Sequence, residues 1–452
     1  MRRLLLPIAA LLLSQALLLV GHGLQLTLLP LRASIEGFTD VEIGFTGSAY
    51  FVGFVLGCLL TPHAVRRAGH IRSFAVLASG FSALVLLFGL LPEFWIWIVL
   101  RALTGACISG LYMIIESWLN ERATRETRGT VLSVYTIINL TMIVAGQQLI
   151  NTATPSSDTL FTLAAIFISV AIIPVSLTRA LAPPPLHTAS IDLRSVWRLS
   201  RVGVGTSVAA GLAAGAFWSM APVYARGVGL DTAQMTLLMS AGVLGGASFQ
   251  YPLGRLSDRY DRRLILLGTA LGSALVSALL ANLGDRGGWI LSVLAFLWGG
   301  MTMTMYAICL AHANDRAQPD QFVMVGTSIL MIHGAASAFG GPLASVAMVL
   351  FGPGGLFMFV ALVLLCLAAG IMRRRRTHVM PVIDATEPFR AVGDFTPAAL
   401  EMDPRIDAPA APEPGSDPDP DPNPDADTAA EADADPHSDP GPDDTTLRRP
   451  PR

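Results

Sequence analysis

The sequence predicts an all-α integral membrane protein, with twelve transmembrane helices arranged as two pseudo-symmetric six-helix bundles. Three observations predict it. The first is composition: of 452 residues, 52% are hydrophobic and 14% charged, against about 25% charged in soluble domains. The second is an internal repeat. Adding 192 to a residue number carries Pro30 to Pro222, Gly37 to Gly229, Gly53 to Gly245 and Arg67 to Arg259. After a two-residue slip, Asn120-Glu121-Arg122-Ala123 meets Asn314-Asp315-Arg316-Ala317, and Gly146 meets Gly340. Duplicated blocks of hydrophobic helices build many secondary transporters, with the substrate site between the halves. The third is arginine placement, in a chain without lysine. With both termini inside, the inner segments hold 21 arginines and the outer loops three, Arg32, Arg226 and Arg286. That asymmetry is the bias that orients membrane proteins.

Met1-Arg2-Arg3 and the apolar run to about Leu29 superficially resemble a signal peptide. The run nears the ~20 residues of a span, lacks a small-x-small cleavage site and merges into the repeat, so it is expected to be the first helix. Further apolar segments lie at about 42–65, 71–91, 94–117, 130–150 and 159–179. The second set lies at about 202–223, 234–254, 263–283, 289–311, 322–350 and 354–372. Residues 1–180 then form the first bundle and 202–376 the second, joined by an inner linker at 181–201 that contains Pro183-Pro184-Pro185. The net charge of −3 conceals a division: residues 377–452 carry 18 acids and 5 arginines. This Pro/Asp/Ala-rich stretch has too little apolar surface to offset its ordering entropy and reads as a disordered cytoplasmic tail. Its alternating aspartates lack the glycine and terminal glutamate of an EF-hand loop.

The most specific local motif is Gly254-Arg255-Leu256-Ser257-Asp258-Arg259-Tyr260-Asp261-Arg262-Arg263, between spans eight and nine. It resembles the signature loop of the major facilitator superfamily, Gly-x-x-x-Asp-Arg-x-Gly-Arg-Arg, with Asp261 in place of the second glycine. The resemblance covers roughly residues 4–372. It implies a cytoplasmic latch built from Asp258, Arg259, Arg262 and Arg263, and by the pseudo-symmetry the helix facing it is span five, starting near Arg128-Gly129. Simple anchoring of the loop at the lipid surface is the alternative. In the first-half copy the acid is missing, while Arg67-Ala68-Gly69-His70 keeps the rest, so one latch is expected to be weaker. Gly21-x-Gly-Leu24-x-x-Thr27-Leu-Leu-Pro-Leu-Arg32, Glu36-Gly37-Phe38 and Glu116-Ser117-Trp118-Leu119-Asn120 further resemble the YcaD-like transporters, a branch that brings no substrate with it.

Ionisable groups inside a bilayer are costly and therefore candidates for function. Arg101 opens an Arg-x-x-x-Gly element on span four, which in the resembled family accompanies proton-coupled antiport. Arg101, Gly105, Ser109, Tyr112 and Glu116 recur at intervals of three or four and share one helical stripe. Glu116 is a candidate proton carrier or a solvated interfacial acid. On span one, Gln15, His22 and Gln25 share a face. His22 has the chemistry of a proton carrier, with a neutral ring bonded to a neighbouring helix as its structural alternative. His333 on span eleven has Asn139 on span five as its repeat mate, which suggests a shared cavity wall or interhelical hydrogen bonds. Tyr112 and Tyr306 coincide under an offset of 194 and, with Trp218, are candidate aromatic walls. The resemblance implies that spans one, four, seven and ten line the pathway.

Cys58, Cys107, Cys309 and Cys366 form no metal-binding pattern, there is no phosphate-binding loop, and the arginines follow membrane sidedness instead of forming a nucleic-acid face. The expectation is a secondary transporter of a small organic solute in a bacterial inner membrane. Neither enzymatic activity nor a cofactor is expected, both termini are expected in the cytoplasm, and the resemblance implies a monomer. Coupling to protons is expected, through Glu116 and His22. Efflux is slightly favoured, with uptake of an organic anion or sugar-like solute as alternative. A non-transporting membrane sensor or scaffold is the reading from another class.

Overall fold

In a computed structural model of the chain, residues 8–123, 127–177, 191–318 and 321–377 are described. The proline triplet of the linker and the acidic tail beyond Thr377 lie outside them. Among the described residues there is no strand. Twelve long helices follow one another: α1 (Ala9–Ile35), α2 (Asp40–Ala68), α3 (His70–Leu90), α4 (Phe94–Arg122), α5 (Arg128–Gln148) and α6 (Thr159–Ser176). Then come α7 (Arg201–Gly227), α8 (Thr232–Arg259), α9 (Arg262–Asn282), α10 (Gly288–Asn314), α11 (Phe322–Phe351) and α12 (Gly355–Thr377). A short linker helix, Leu193–Leu199, precedes α7 and is capped by Asp192, whose side chain accepts from Ser195 N–H. Hydrogen bonds from Ser195 hold the Asp192 carboxyl below its ordinary pKa.

Eleven of these helices are long and apolar enough to cross a membrane by length and composition. The remaining one, α8, has 28 residues but carries Gln234, Gln250, Arg255 and several hydroxyls. Part of that polarity is used at its contact with α5, where Gln148 donates to Ser240 at 2.8 Å and Ser240 donates to Gln147 at 3.0 Å. Side chains such as Leu60, Val76, Trp95, Leu275 and Leu350 are exposed and form the apolar outer surface that hydrocarbon would cover.

The repeat is legible in individual contacts. α2 and α8 both start with a capping box, Thr39 with Glu42 and Asp231 with Gln234, and these pairs are related by the 192 offset. Each box satisfies backbone N–H groups that helix geometry leaves open. Gly37 and Gly229, before those caps, have φ of +87° and +79°, a region that L side chains avoid. Closer in, a Cβ on Gly53 would overlap Ala102 O, and one on Gly245 would overlap Phe296 O. Gly105 against Tyr50 O has the counterpart Gly299 against Gly242 O, and Gly23 against Ile143 O has Gly215 against Ser337 O. Gly146 against Val20 O likewise has Gly340 against Leu212 O. In lipid, where apolar surface alone does not drive helices together, such bare-backbone contacts allow close packing. The Ala102–Phe296 match places the two-residue slip before α4, so Arg101 corresponds to Ala295.

The same contacts order the helices. In the first half α2 packs on α4 and α1 on α5 and α6; in the second half α8 packs on α10 and α7 on α11. Across the halves, α2 meets α11, α5 meets α8, and α7 meets α1 and α2. One end of the molecule gathers the 35–40, 149–158, 227–232 and 351–355 turns and is called here the loop end. The other, the linker end, gathers residues 191–201, 259–263, 314–318 and the end of α12.

Candidate functional site

A small cavity lies between the halves, lined by His22 and Leu26 of α1, Tyr50 and Phe51 of α2, Arg101 and Tyr112 of α4, Ile143 of α5 and Trp218 of α7. Its volume is about 50 Å³, enough for a few waters and well below the roughly 300 Å³ at which small-molecule pockets begin. Four residues nominated from sequence meet here: His22, Arg101, Tyr112 and Trp218. All but Trp218 belong to the first half.

Arg101 is 3% exposed. Its Nε donates to Thr46 O at 3.4 Å, and its guanidinium lies over the Tyr50 ring, 4.7 Å from the centroid. Arg101 Nη1 is buried without a hydrogen-bond partner. Among the described residues no carboxylate pairs with Arg101. Glu116 cannot serve, since fifteen residues along α4 separate the two by about 22 Å. A buried cation without a charge partner costs several kcal/mol even after relaxation, and here one N–H of the guanidinium is left without an acceptor. Tyr50 joins Arg101 to His22: its hydroxyl is 3.3 Å from His22 Nε2, and the two rings stack with centroids 6.0 Å apart. Gln25, fully buried, lies beside His22.

Glu116 and Asn139 belong to a second group closer to the linker end, also in the first half. Tyr135 OH donates to Glu116 Oε1 at 2.8 Å. Gln15 Nε2 donates to Asn139 Oδ1 at 3.0 Å and approaches the Tyr135 oxygen at 3.4 Å. A polar row therefore runs Glu116–Tyr135–Gln15–Asn139 across α4, α5 and α1, entirely within buried surroundings. Glu116 itself is 0% exposed. Tyr112, one turn from Glu116 on α4, lines the cavity.

His333 and Tyr306 are not in this cavity. Their rings pack against each other, with centroids 4.9 Å apart, and Tyr306 sits in an apolar cluster with Val204, Cys309 and Leu330. The two tyrosines matched by the repeat, Tyr112 and Tyr306, therefore do not share a wall here. Sequence pattern alone singles out neither Tyr50 nor Tyr135 and places Gln15 only on the face it shares with His22. One signal for Tyr50 was available: the repeat sets it opposite Gly242, another broken position of the same kind as Arg101 and Ala295.

At the linker end, Arg262 gathers its neighbours. Its Nε donates to Asp315 at 2.7 Å, its Nη1 reaches Ser257 Oγ at 3.3 Å, and its Nη2 is 3.4 Å from Asp258. These partners all lie in the second half; the side chain of Arg128 falls outside the described residues. Asp261, the departure from the signature loop, caps α9 by accepting from Arg263 N–H at 2.9 Å. Its repeat mate Gly69 instead turns the chain with φ of +81°. Arg259 is exposed and Arg263 half-buried.

At the loop end the halves are joined directly. Arg226 donates to Ser34 at 2.8 Å and Asn151 to Thr236 at 3.1 Å, and Ser48 Oγ donates to Ala338 O. A Cβ on Gly44 would lie 2.9 Å from Gly341 O, and one on Gly47 would lie 2.6 Å from Ser219 Cβ. Only glycine leaves the seam this tight.

The sequence matches the family model for the Major Facilitator Superfamily over residues 11–202 and 203–409. An uncharacterized MFS-type transporter of Enterobacter sp. (strain 638) is 26% identical over 385 residues, covering 84% of this chain and 98% of its own. The uncharacterized MFS-type transporter YcaD of Escherichia coli (strain K12 / DH10B) is 27% identical over 361 residues, covering 78% and 92%. Among solved structures, a mutant of the nucleoside transporter NupG superposes with a TM-score of 0.71 at 12% identity, covering 81% of this chain and 98% of its own. A D-xylose–proton symporter reaches 0.63 at 13% identity, covering 83% and 98%. The human organic anion transporter MFSD10 reaches 0.59 at 14% identity, covering 82% and 99%. These likenesses are of fold. With the duplicated helices, the inter-half cavity and the family match over both halves, the chain belongs to the major facilitator superfamily of membrane transporters.

Proposed function

We propose that the chain is a secondary active transporter that moves a small organic solute bearing an anionic group, with Arg101 as its anion-binding residue. One observation carries this reading: a buried guanidinium in an inter-half cavity, with an orphaned N–H and no carboxylate partner among the described residues. A bound carboxylate or phosphate would supply both the missing charge and the missing acceptor. Charge-assisted hydrogen bonds contribute about 1.5–3 kcal/mol each, or roughly 10- to 100-fold in affinity. Aromatic faces from Tyr50, Tyr112 and Trp218 suit the apolar body of such a solute.

Transport follows by alternating access, the halves rocking about the cavity. The cavity is too small for an organic solute as it stands, so the two halves separate on one side to admit it. Protons are the proposed coupling ion. His22 is linked to Arg101 through Tyr50, so an anion arriving at Arg101 changes the field at the imidazole. Glu116 sits at the end of a buried polar row, where Tyr135 donates to its carboxylate. The arginine distribution supports a bacterial inner membrane with both termini in the cytoplasm, hence a linker end facing inward, and the family supports a monomer.

Reconstitution into proteoliposomes tests the reading. A panel of organic anions and their neutral analogues is offered with and without a pH gradient. Flux of at least one anion, stimulated by the gradient and lost in Arg101→Gln, is expected. Transport confined to neutral solutes would defeat the anion assignment.

A further inference from the structure

The linker end of the second half holds another cavity, of about 210 Å³. Arg198, Arg201, Arg263, Arg316 and Arg374 line it together with His312. They converge from the linker helix, the starts of α7 and α9, the end of α10 and the turn after it, and the end of α12. No carboxylate is among the lining residues. Asp315, 2.7 Å from Arg262, and Asp261, which caps α9, act on Arg316 from beside the cavity and offset part of this charge, leaving an excess of guanidinium groups.

His312 is 2% exposed and its place is set by Arg316, whose Nη1 is 3.0 Å from His312 Nδ1 and 2.7 Å from His312 O. Arginine only donates, so Nδ1 accepts and the ring proton sits on Nε2. The cavity wall thus combines guanidinium donors with an imidazole whose proton sits on Nε2. Burial, and then the neighbouring Arg263, lower the pKa of Arg316 from its ordinary value. Like charges held this close favour a multivalent anion, and planar guanidinium forks match phosphate oxygens.

The surroundings indicate where that anion comes from. On and beside the linker helix, Ile191, Leu193 and Trp197 are 41%, 51% and 50% exposed, while Val196 is buried. An exposed tryptophan with aliphatic neighbours and interleaved arginines is the pattern of a segment lying at the membrane–water boundary. The cavity mouth is therefore at headgroup depth, where basic pockets between helices take anionic lipid phosphates.

We propose that this cavity binds a phosphate group, and that in the membrane the group belongs to the headgroup of an anionic phospholipid. The site is separate from the Arg101 cavity and does not depend on which solute is transported.

Native mass spectrometry of the full chain, released from mixed phosphatidylglycerol and phosphatidylcholine, tests the proposal. Wild type is expected to retain phosphatidylglycerol in preference by about tenfold or more. Arg198→Gln/Arg201→Gln, at two exposed positions, is expected to abolish most of that preference, as is Arg316→Gln. Arg286→Gln, at the loop end, should leave it intact. In a parallel arm, millimolar inorganic phosphate is added to protein in neutral lipid and the thermal midpoint is followed. Stabilisation of wild type but not of the variants, without lipid preference, would keep the phosphate site and overturn the lipid as its source. Equal lipid retention by all proteins together with no effect of phosphate would overturn the proposal.

Discussion

Replacing Gly47 with valine should hold the loop end open. A Cβ there would lie 2.6 Å from Ser219 Cβ and overlap its hydroxyl, whereas ordinary contact between two carbons is about 3.5–4.0 Å. α2 and α7 must then part by about 1 Å at the narrowest point of the seam. Overpacking of this kind costs about 1–3 kcal/mol. If the seam exists only in the conformation closed at the loop end, that cost falls on this state alone and shifts the equilibrium by roughly 5- to 150-fold. A reporter is available in Ser240, 2% exposed and bonded across the seam to Gln147 and Gln148. In a background with the four cysteines replaced by alanine, Ser240→Cys would be labelled with a membrane-impermeant maleimide. Gly47→Val should raise the labelling rate by an order of magnitude or more. Gly268→Val, where nothing lies within 4 Å of an added Cβ, should not. An unchanged rate in a folded Gly47→Val protein would refute the idea that this seam opens during transport.

Other expectations follow from the same contacts. Glu116→Gln keeps the acceptor for Tyr135 but cannot exchange a proton, so transport should persist with a flattened pH dependence; a wild-type profile would remove Glu116 from coupling. Gly53→Ala and Gly245→Ala meet equivalent carbonyls in the two halves and should each lower the thermal midpoint in detergent, unlike Gly268→Ala. Asp261→Ala removes the cap of α9 and should cost about 1 kcal/mol, read as a lower midpoint with solute affinity unchanged.

Much of the fold was legible because the repeat left matched small residues at the points of closest approach. Gly53 with Gly245 and Gly146 with Gly340 could be paired by arithmetic, and in the structure they meet equivalent carbonyls. Helix ends were less legible. α4 runs to Arg122 instead of ending near 117, and α2 continues to Ala68 past its apolar edge at 65, because helices continue beyond their apolar stretch into polar turns. The polarity of α8 reads as weak hydropathy until its hydroxyls are seen engaging α5. Within the candidate site, charge made Arg101, His22 and Glu116 visible. Tyr50 and Tyr135 were not, since a tyrosine in an apolar helix reads as packing until its hydroxyl is seen on a histidine or a carboxylate. Periodicity also overreached: the stripe from Arg101 to Glu116 is one face of α4, but its two charged ends serve different groups of neighbours.

Arg101, which has no carboxylate partner among the described residues, is proposed to bind the anionic group of the solute, and counterflow in proteoliposomes tests that assignment most directly. Exchange of a labelled organic anion would be measured for wild type, Arg101→Lys and Arg101→Gln across a range of solute concentrations. Arg101→Gln should weaken apparent anion affinity by roughly 10- to 100-fold, while Arg101→Lys, which keeps the charge but loses the fork, should fall between. Equal affinities in all three proteins, with exchange intact, would contradict it.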